Sequence, residues 1–291
     1  MDPRSRIEQA LTETVGGATA APCPPLMAAA VRDAVFPGGA RVRPKLCLAV
    51  AGANGDTDPV LADAAAAAIE LLHGDSLVHD DLPCFDDAAE RRGKPSVHAA
   101  HGERLAVLAG DALIVLAFET LARAASGSVN AGRLVPLIRS VGRGVGMPLG
   151  IAAGQAWESE PSVPLSTYHQ AKTGSLFVAA TRAGAAAAGA DPEPWMLLGQ
   201  RVGEAYQVAD DIRDAAGSAA ELGKPVGQDE ALGRPSAVQE LGLDGAVRRL
   251  KALVAEGTAS IPPCPGQEAL RALIAAEARQ FLPRELARLA A

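Results

Sequence analysis

Apolar positions recur at helical spacing along most of the chain, and breakers cut that periodicity into stretches of helical length. Pro22, Pro24 and Pro25 precede an apolar segment that closes at Phe36-Pro37-Gly38-Gly39. Pro44, tolerated in a helix's first turn, opens Lys45–Ala53. A turn from Gly55 to Pro59 leads into one long helix, Leu61–Leu82. Asp56 or Asp58 is available as its cap, and Pro83 ends or kinks it. Further helices are predicted at about Arg104–Ala125, Ala131–Met147, Thr167–Ala188, Pro194–Ala216, Gly242–Ala255 and Glu268–Ala290. Arg92–Pro95, Pro161–Pro164, Leu222–Pro235 and Ile261–Gly266 read as loops. Alternating strand patterns are almost wholly missing, and neither a repeat nor a linker separates two cores. The expectation is a single all-α domain over residues 1–291.

Composition agrees. Hydrophobic residues make up 48% and aromatic ones 3%, so Ala, Leu and Val do the packing, which favours helices over strands. The formal charge of −7 argues against nucleic acid as a partner. Cys23, Cys47, Cys84 and Cys264 are scattered without metal spacing and read as free thiols of a reducing cytoplasm. The first 20 residues lack the apolar stretch of a signal peptide. Apolar runs such as Leu105–Phe118 contain Gly110 and Asp111 and fall short of a bilayer span. A soluble chain with no transmembrane segment is expected.

Two acidic clusters change the picture: Asp80-Asp81-Leu82-Pro83-Cys84-Phe85-Asp86-Asp87 and Gln207-Val208-Ala209-Asp210-Asp211-Ile212-Arg213-Asp214. Asp210 and Asp214 fall one helical turn apart on one face, where like charges repel by roughly 0.2–0.5 kcal/mol. Their neighbours Val208, Ala209 and Ile212 are apolar, so a hard cation with oxygen ligands, such as magnesium, would account for them. A solvated acidic face is the plainer alternative. Asp80 and Asp86 differ by about 240° on an ideal helix, so the chain is expected to bulge at Pro83 to bring them to one ion.

Basic residues accompany the acids. Arg91-Arg92-Gly93-Lys94-Pro95 follows the first cluster, Gly38-Gly39-Ala40-Arg41-Val42-Arg43-Pro44 lies upstream, Lys172-Thr173-Gly174 interrupts an apolar helix, and Lys224 follows the second cluster. Arginine forks and lysine point charges suit phosphate oxygens. His73 falls within about 20° of the face of Asp80. Metal carboxylates with separate cationic groups describe a site for two phosphorylated ligands.

The chain resembles the trans-isoprenyl diphosphate synthases (polyprenyl synthetases). Residues 70–119 are similar to that family's first aspartate-rich region, GGARVRP to its GGKRxRP motif, KTGSLF to its KTG motif and QVADDIRD to its second aspartate-rich motif. The likeness runs from about Val31 to Leu241, nearest in look to bacterial geranylgeranyl diphosphate synthases. It implies a helical bundle around a deep central cavity, usually a homodimer, that condenses isopentenyl diphosphate head to tail with an allylic diphosphate. By the same resemblance, Asp80, Asp81, Asp86 and Asp210 hold a magnesium cluster, of three ions when the allylic diphosphate is bound. Asp211 and Asp214 act behind them or through water. Arg91, Lys172 and Lys224 grip the allylic diphosphate, Arg43, His73 and Arg92 hold isopentenyl diphosphate, and Thr173 and Gln207 lie beside the reacting carbons.

Two positions depart from the family pattern. Ala40 replaces the lysine of GGKR, and Trp157 stands where many members carry an acid. Leu72, Asp75 and Ser76 share a face about a quarter-turn from Asp80, along which a growing prenyl tail would extend. Farnesyl synthases place an aromatic at or beside the position of Asp75; none is present here, which implies a C20 product, geranylgeranyl diphosphate, with C15 as the alternative. A carboxylate against a tail is costly, so Asp75 is expected to turn to a cationic or hydroxyl partner. A terpene cyclase, a non-catalytic partner subunit and an acidic helical scaffold are the competing readings. The basic residues count against the first and third, and the intact aspartate motifs against the second.

Overall fold

The computed structural model describes residues 2–162, 164–216 and 236–280. It is a bundle of helices with a single two-stranded hairpin among the described residues. In chain order the helices are α1 (Pro3–Ala18), α2 (Pro25–Val35), α3 (Val42–Ala53), α4 (Pro59–Asp80), α5 (Val97–His101), α6 (Glu103–Ser126), α7 (Leu134–Val145), α8 (Ile151–Ala156), α9 (Leu165–His169), α10 (Ser175–Ala187), α11 (Met196–Ala216), α12 (Ala237–Ala259) and α13 (Gln267–Gln280). The hairpin pairs β1 (Glu90–Arg91) with β2 (Lys94–Pro95).

α4 is the axis. Asp58 caps it by accepting the Leu61 N–H at 3.1 Å, and Pro59 supplies a preset first turn. It is buried on nearly every side, with Leu61, Ile69, Leu71 and Leu72 fully covered, as expected of a helix wrapped by others. A run of alanines from Ala64 to Ala68 lets α3, α6 and α10 pack around it. Gly184 of α10 comes close enough to Cys47 of α3 that a Cβ would lie 2.3 Å from its carbonyl oxygen.

Several elements differ from the sequence expectation. α1 is a full helix in a stretch for which no helix is predicted; Asp2 accepts the Arg4 and Ser5 N–H groups, and Ile7, Leu11 and Val15 bury one face. The expected helix over Thr167–Ala188 is three pieces: α9, a π-helical turn at Gln170–Gly174, and α10. A 3-10 turn at Ala131–Arg133 precedes α7, and α12 starts before Gly242, whose φ of 68° breaks its regularity. Residues 281–290 of the last expected helix, and the whole of the loop Leu222–Pro235, lie outside the described residues.

α6, at 24 residues, is longer than its apolar run suggested and is long and apolar enough by composition to cross a bilayer. It packs along α4 and α2, as a core helix does. All four cysteines are free thiols.

Candidate active site

α4 stops at Asp80, three residues before Pro83, and the chain folds back on itself. The Asp86 N–H donates to the Asp80 carbonyl at 3.0 Å, and the Asp87 and Ala88 N–H groups donate to the Leu82 and Asp81 carbonyls. This compact turn replaces a helical path that would separate the first and last aspartates. Asp81 is buried, Asp80 half-buried and Asp86 exposed.

The hairpin then returns to the turn. Its tip, Arg92-Gly93, has φ of 55° and 73°, the left-handed pair that a tight two-residue turn needs. Successive residues point opposite ways on such a ribbon. Arg91 reaches back to Asp81, its Nε donating to both carboxylate oxygens at 2.9 and 3.2 Å while Nη2 also donates to Oδ1. Arg92 instead lies over the α2–α3 loop and donates to the Gly38 carbonyl. At Gly39 the φ of 135° favours glycine; a Cβ there would meet only the movable end of the Arg92 side chain, 2.4 Å from Nη1.

Lys172 approaches Asp80 from the other side, Nζ to Oδ1 at 3.1 Å. The π-helical turn places it there: one added residue per turn swings Lys172 and Thr173 out of the α10 register, and such turns recur at functional sites. α8 seats against this turn so closely that a Cβ at Gly154 would lie 2.4 Å from the Lys172 nitrogen. Thr173 Oγ1 donates to Gln207 Oε1 at 3.2 Å, joining the π turn to α11.

On α11, Asp210 is paired with Arg213 at 2.7 Å and remains partly open. Asp211 is buried and occupied, accepting Gln207 Nε2 at 2.9 Å and the first N–H of α12 at 2.8 Å. Asp214 is buried as well. Lys224 lies outside the described residues.

The charges follow from burial. Burial pushes the Asp81 carboxyl above its usual range, and Arg91 only partly counters it. Burial likewise opposes the Lys172 ammonium, but Asp80 and Glu158 outweigh it and hold the ammonium well above its ordinary range. Asp80 and Asp81 are therefore neutralised by Lys172 and Arg91. Among the described residues no three carboxylate, imidazole or thiol groups already converge on one point. The donor set still fits a hard divalent cation: oxygen ligands only, with Asp80, Asp86 and Asp210 accessible. Asp80 and Asp81 are held by side chains that can transfer to phosphate oxygens.

A second cationic group lies apart from the carboxylates. Arg43 stacks over the Phe177 ring at 4.6 Å and reaches His73 Nε2 at 3.4 Å. No described carboxylate pairs with it, and its buried Nε has no hydrogen-bond partner. Burial, then the Arg43 charge, pulls His73 well below its ordinary pKa, so its imidazole is neutral. A half-buried guanidinium whose buried Nε has no hydrogen-bond partner is costly unless an anion completes it. Arg41, two residues earlier, has the opposite environment. It is buried and donates to Glu8, Glu70 at 2.7 Å and the Val35 carbonyl at 2.9 Å. Ala40 is exposed.

Leu72 is fully buried in the core, and Ser76 Oγ donates to the His73 carbonyl at 2.9 Å. Asp75 is buried and turned to His79, one turn on, at 3.1 Å. The contact falls short of hydrogen-bond geometry, and Asp75 Oδ1 has no hydrogen-bond partner among the described residues. Burial, opposed by His79, pushes the Asp75 carboxyl up to about 6.

Sequence reasoning missed Glu158. Beside Trp157, Glu158 accepts Lys172, Tyr168 Oη at 2.6 Å and Gln155 Nε2 at 2.9 Å. The aromatic shelf of Phe177 and Tyr206 under Arg43 was missed too. Its signal was the scarcity of aromatics, which makes two at one site informative.

Comparison with known proteins places these features. The profile of the family described as polyprenyl synthetase matches residues 24–261. The chain is 53% identical over 282 residues to the geranylgeranyl diphosphate synthase of Cereibacter sphaeroides, covering 97% of each. Its structure superposes on a geranyltransferase from Legionella pneumophila with a TM-score of 0.78 at 26% identity, covering 95% of this chain and 94% of that one. It superposes also on a Helicobacter pylori geranyltransferase complexed with magnesium and isoprenyl diphosphate, with a TM-score of 0.74 at 30% identity, covering 95% and 98%.

Proposed function

We propose that this chain, which belongs to the polyprenyl synthetase family, is the prenyltransferase that joins isopentenyl diphosphate head to tail to an allylic diphosphate, with geranylgeranyl diphosphate as its main product. The observation that supports the two-substrate reading is Arg43, with its unpartnered Nε and no carboxylate pair among the described residues, beside neutral His73 and separate from the carboxylates that Arg91 and Lys172 neutralise. One cationic group serves each diphosphate. The relative of 53% identity and the lack of an aromatic at Leu72, Asp75 or Ser76 support the C20 product.

Asp80, Asp81, Asp86 and Asp210 would hold magnesium, as a cluster of three ions when the allylic diphosphate is bound. Bound magnesium would supply the positive charge that draws electrons onto the leaving diphosphate. Arg91 and Lys172, released from Asp81 and Asp80, close on the diphosphate oxygens. As the C1–O bond breaks, the Lys172 carbonyl and the Gln207 side chain face the allylic cation with fixed dipoles. Thr173 holds Gln207 in place. Arg43, His73 and Arg92 orient isopentenyl diphosphate so that its double bond attacks, and the proton lost afterwards passes to the departing diphosphate. Holding both substrates in line supplies much of the acceleration.

The chain acts as a homodimer in the cytoplasm on this reading. Val107, Leu108 and Val115 of α6 and Val135 and Ile138 of α7 are exposed apolar residues that a second copy would cover. Turnover of Asp81→Ala and Asp210→Ala tests the site. Each is expected to fall by at least about 10²–10³-fold, the loss typical of one charge-stabilising group. Unchanged rates in both at saturating magnesium would overturn the assignment.

A further inference from the structure

Among the described residues Lys172 has two anionic partners, and only one of them belongs to the proposed metal site. Its Nζ is shared between Asp80 Oδ1 at 3.1 Å and Glu158 Oε1. Glu158 is fixed in turn: Oε1 also accepts the Tyr168 hydroxyl at 2.6 Å, and Oε2 accepts Gln155 Nε2 at 2.9 Å. Tyr168 lies on α9, Gln155 on α8, and Glu158 on the 3-10 turn that continues α8. The same α8 presses Gly154 against the backbone of Lys172. One short element thus pins the Lys172 main chain and supplies an acceptor for its ammonium.

We infer that Glu158 is a positioning residue: it keeps Lys172 at the mouth of the site while Asp80 exchanges the ammonium for a metal ion. The inference rests on the reading of Asp80 and Lys172 as parts of the allylic diphosphate site. A divalent cation on Asp80 repels the neighbouring ammonium. A lysine side chain with four flexible bonds would then leave, at the moment when the diphosphate needs it. Glu158 compensates the ammonium independently of Asp80, so ammonium and metal can stand side by side. Without Glu158, Asp80 is the one carboxylate among the described residues left to hold Lys172, and the ammonium competes directly with the metal. An isolated exposed ion pair would matter little. This one is a network in which the side chains of Lys172 and Glu158 are 22% and 30% exposed and both oxygens of Glu158 are engaged.

The test compares Glu158→Gln, Glu158→Asp and Lys172→Ala with the parent protein. Calorimetry measures binding of magnesium with inorganic diphosphate, and steady-state kinetics measure the Michaelis constant for each substrate. Glu158→Gln is expected to weaken magnesium–diphosphate binding about tenfold and to raise the allylic Michaelis constant similarly, the effect of one lost charge-assisted bond. The constant for isopentenyl diphosphate stays within about twofold on the same argument. Glu158→Asp restores most of the loss, and adding Glu158→Gln to Lys172→Ala changes nothing further. Equal or tighter magnesium–diphosphate binding in Glu158→Gln, with Lys172→Ala impaired, overturns this inference and leaves the site reading intact. A Lys172→Ala variant that binds normally overturns both. Equal weakening of both substrates with a lowered melting temperature assigns Glu158 a purely structural role and also overturns the inference.

Discussion

Arg41 and Arg43 stand two residues apart in one motif, yet their surroundings assign them different work. Arg41 is buried beside Glu70, with side chains 4% and 5% exposed and 2.7 Å apart, and also holds Glu8 and the Val35 carbonyl. Burial works against its charge, but the two carboxylates outweigh it and hold its pKa above the ordinary value. Arg41→Ala leaves Glu70 buried without its partner, a change that costs about 3–5 kcal/mol. Glu8, 37% exposed, is rehydrated and adds little. For a chain of this size each kcal/mol moves the melting temperature by about 2–4 °C, so a fall of roughly 6–20 °C is expected. Turnover and both Michaelis constants, measured well below the melting transition, should change by less than about twofold on that reasoning. Circular dichroism melts with steady-state kinetics on the same preparations read both quantities. Replacing the pair with Arg41→Met and Glu70→Leu should recover most of the stability, because hydrophobic residues of similar size can substitute for a buried ion pair. An Arg41→Ala protein with the parent melting temperature and a tenfold higher constant for isopentenyl diphosphate would refute this reasoning and make Arg41 a substrate ligand.

Ala40 is exposed, and Arg41 is turned inward, so nothing from Arg41 fills the place of the usual lysine. Ala40→Lys is expected to lower the Michaelis constant for isopentenyl diphosphate several-fold, about 1 kcal/mol for one added charged contact, and to leave the allylic constant unchanged; a raised constant would contradict it. Burial, opposed by His79, pushes the Asp75 carboxyl up to about 6 from its ordinary value of 3.8, so the folded state binds the extra proton between those values and stability falls as pH rises through that window. Asp75→Asn removes the effect: its stability advantage over the parent should grow by roughly 1–3 kcal/mol between pH 4 and pH 7 in urea titrations, and a constant difference would contradict the linkage.

Much of this architecture was legible in the chain. The apolar run and Asp58 announce α4, and Pro83 announces its end; the actual stop at Asp80 depends on the Asp86 N–H returning to the Asp80 carbonyl. The clusters at Asp80–Asp87 and Gln207–Asp214, with Arg91, Lys172 and Arg43, are readable because carboxylates and cations in apolar segments need partners. The π turn was not, since one extra residue per turn changes neither composition nor polarity. The hairpin at Glu90–Pro95 is too short to alternate, and only Arg92-Gly93 hints at it. Glu158 escaped because its value lies in partners 10 and 14 residues away, Tyr168 and Lys172, which folding alone brings near. α1 was within reach: Asp2, Pro3 and the spacing of Ile7, Leu11 and Val15 form a capped amphipathic helix. The Asp75–His79 pair was also one helical turn apart in plain view.

The central claim is tested most directly by product length. Purified protein is incubated with magnesium, labelled isopentenyl diphosphate and, separately, dimethylallyl, geranyl and farnesyl diphosphate, and the hydrolysed products are resolved by chromatography. The account predicts label entering C20 geranylgeraniol from each allylic primer and none without magnesium. Label that stops at C15, or that never leaves isopentenyl diphosphate, would contradict it.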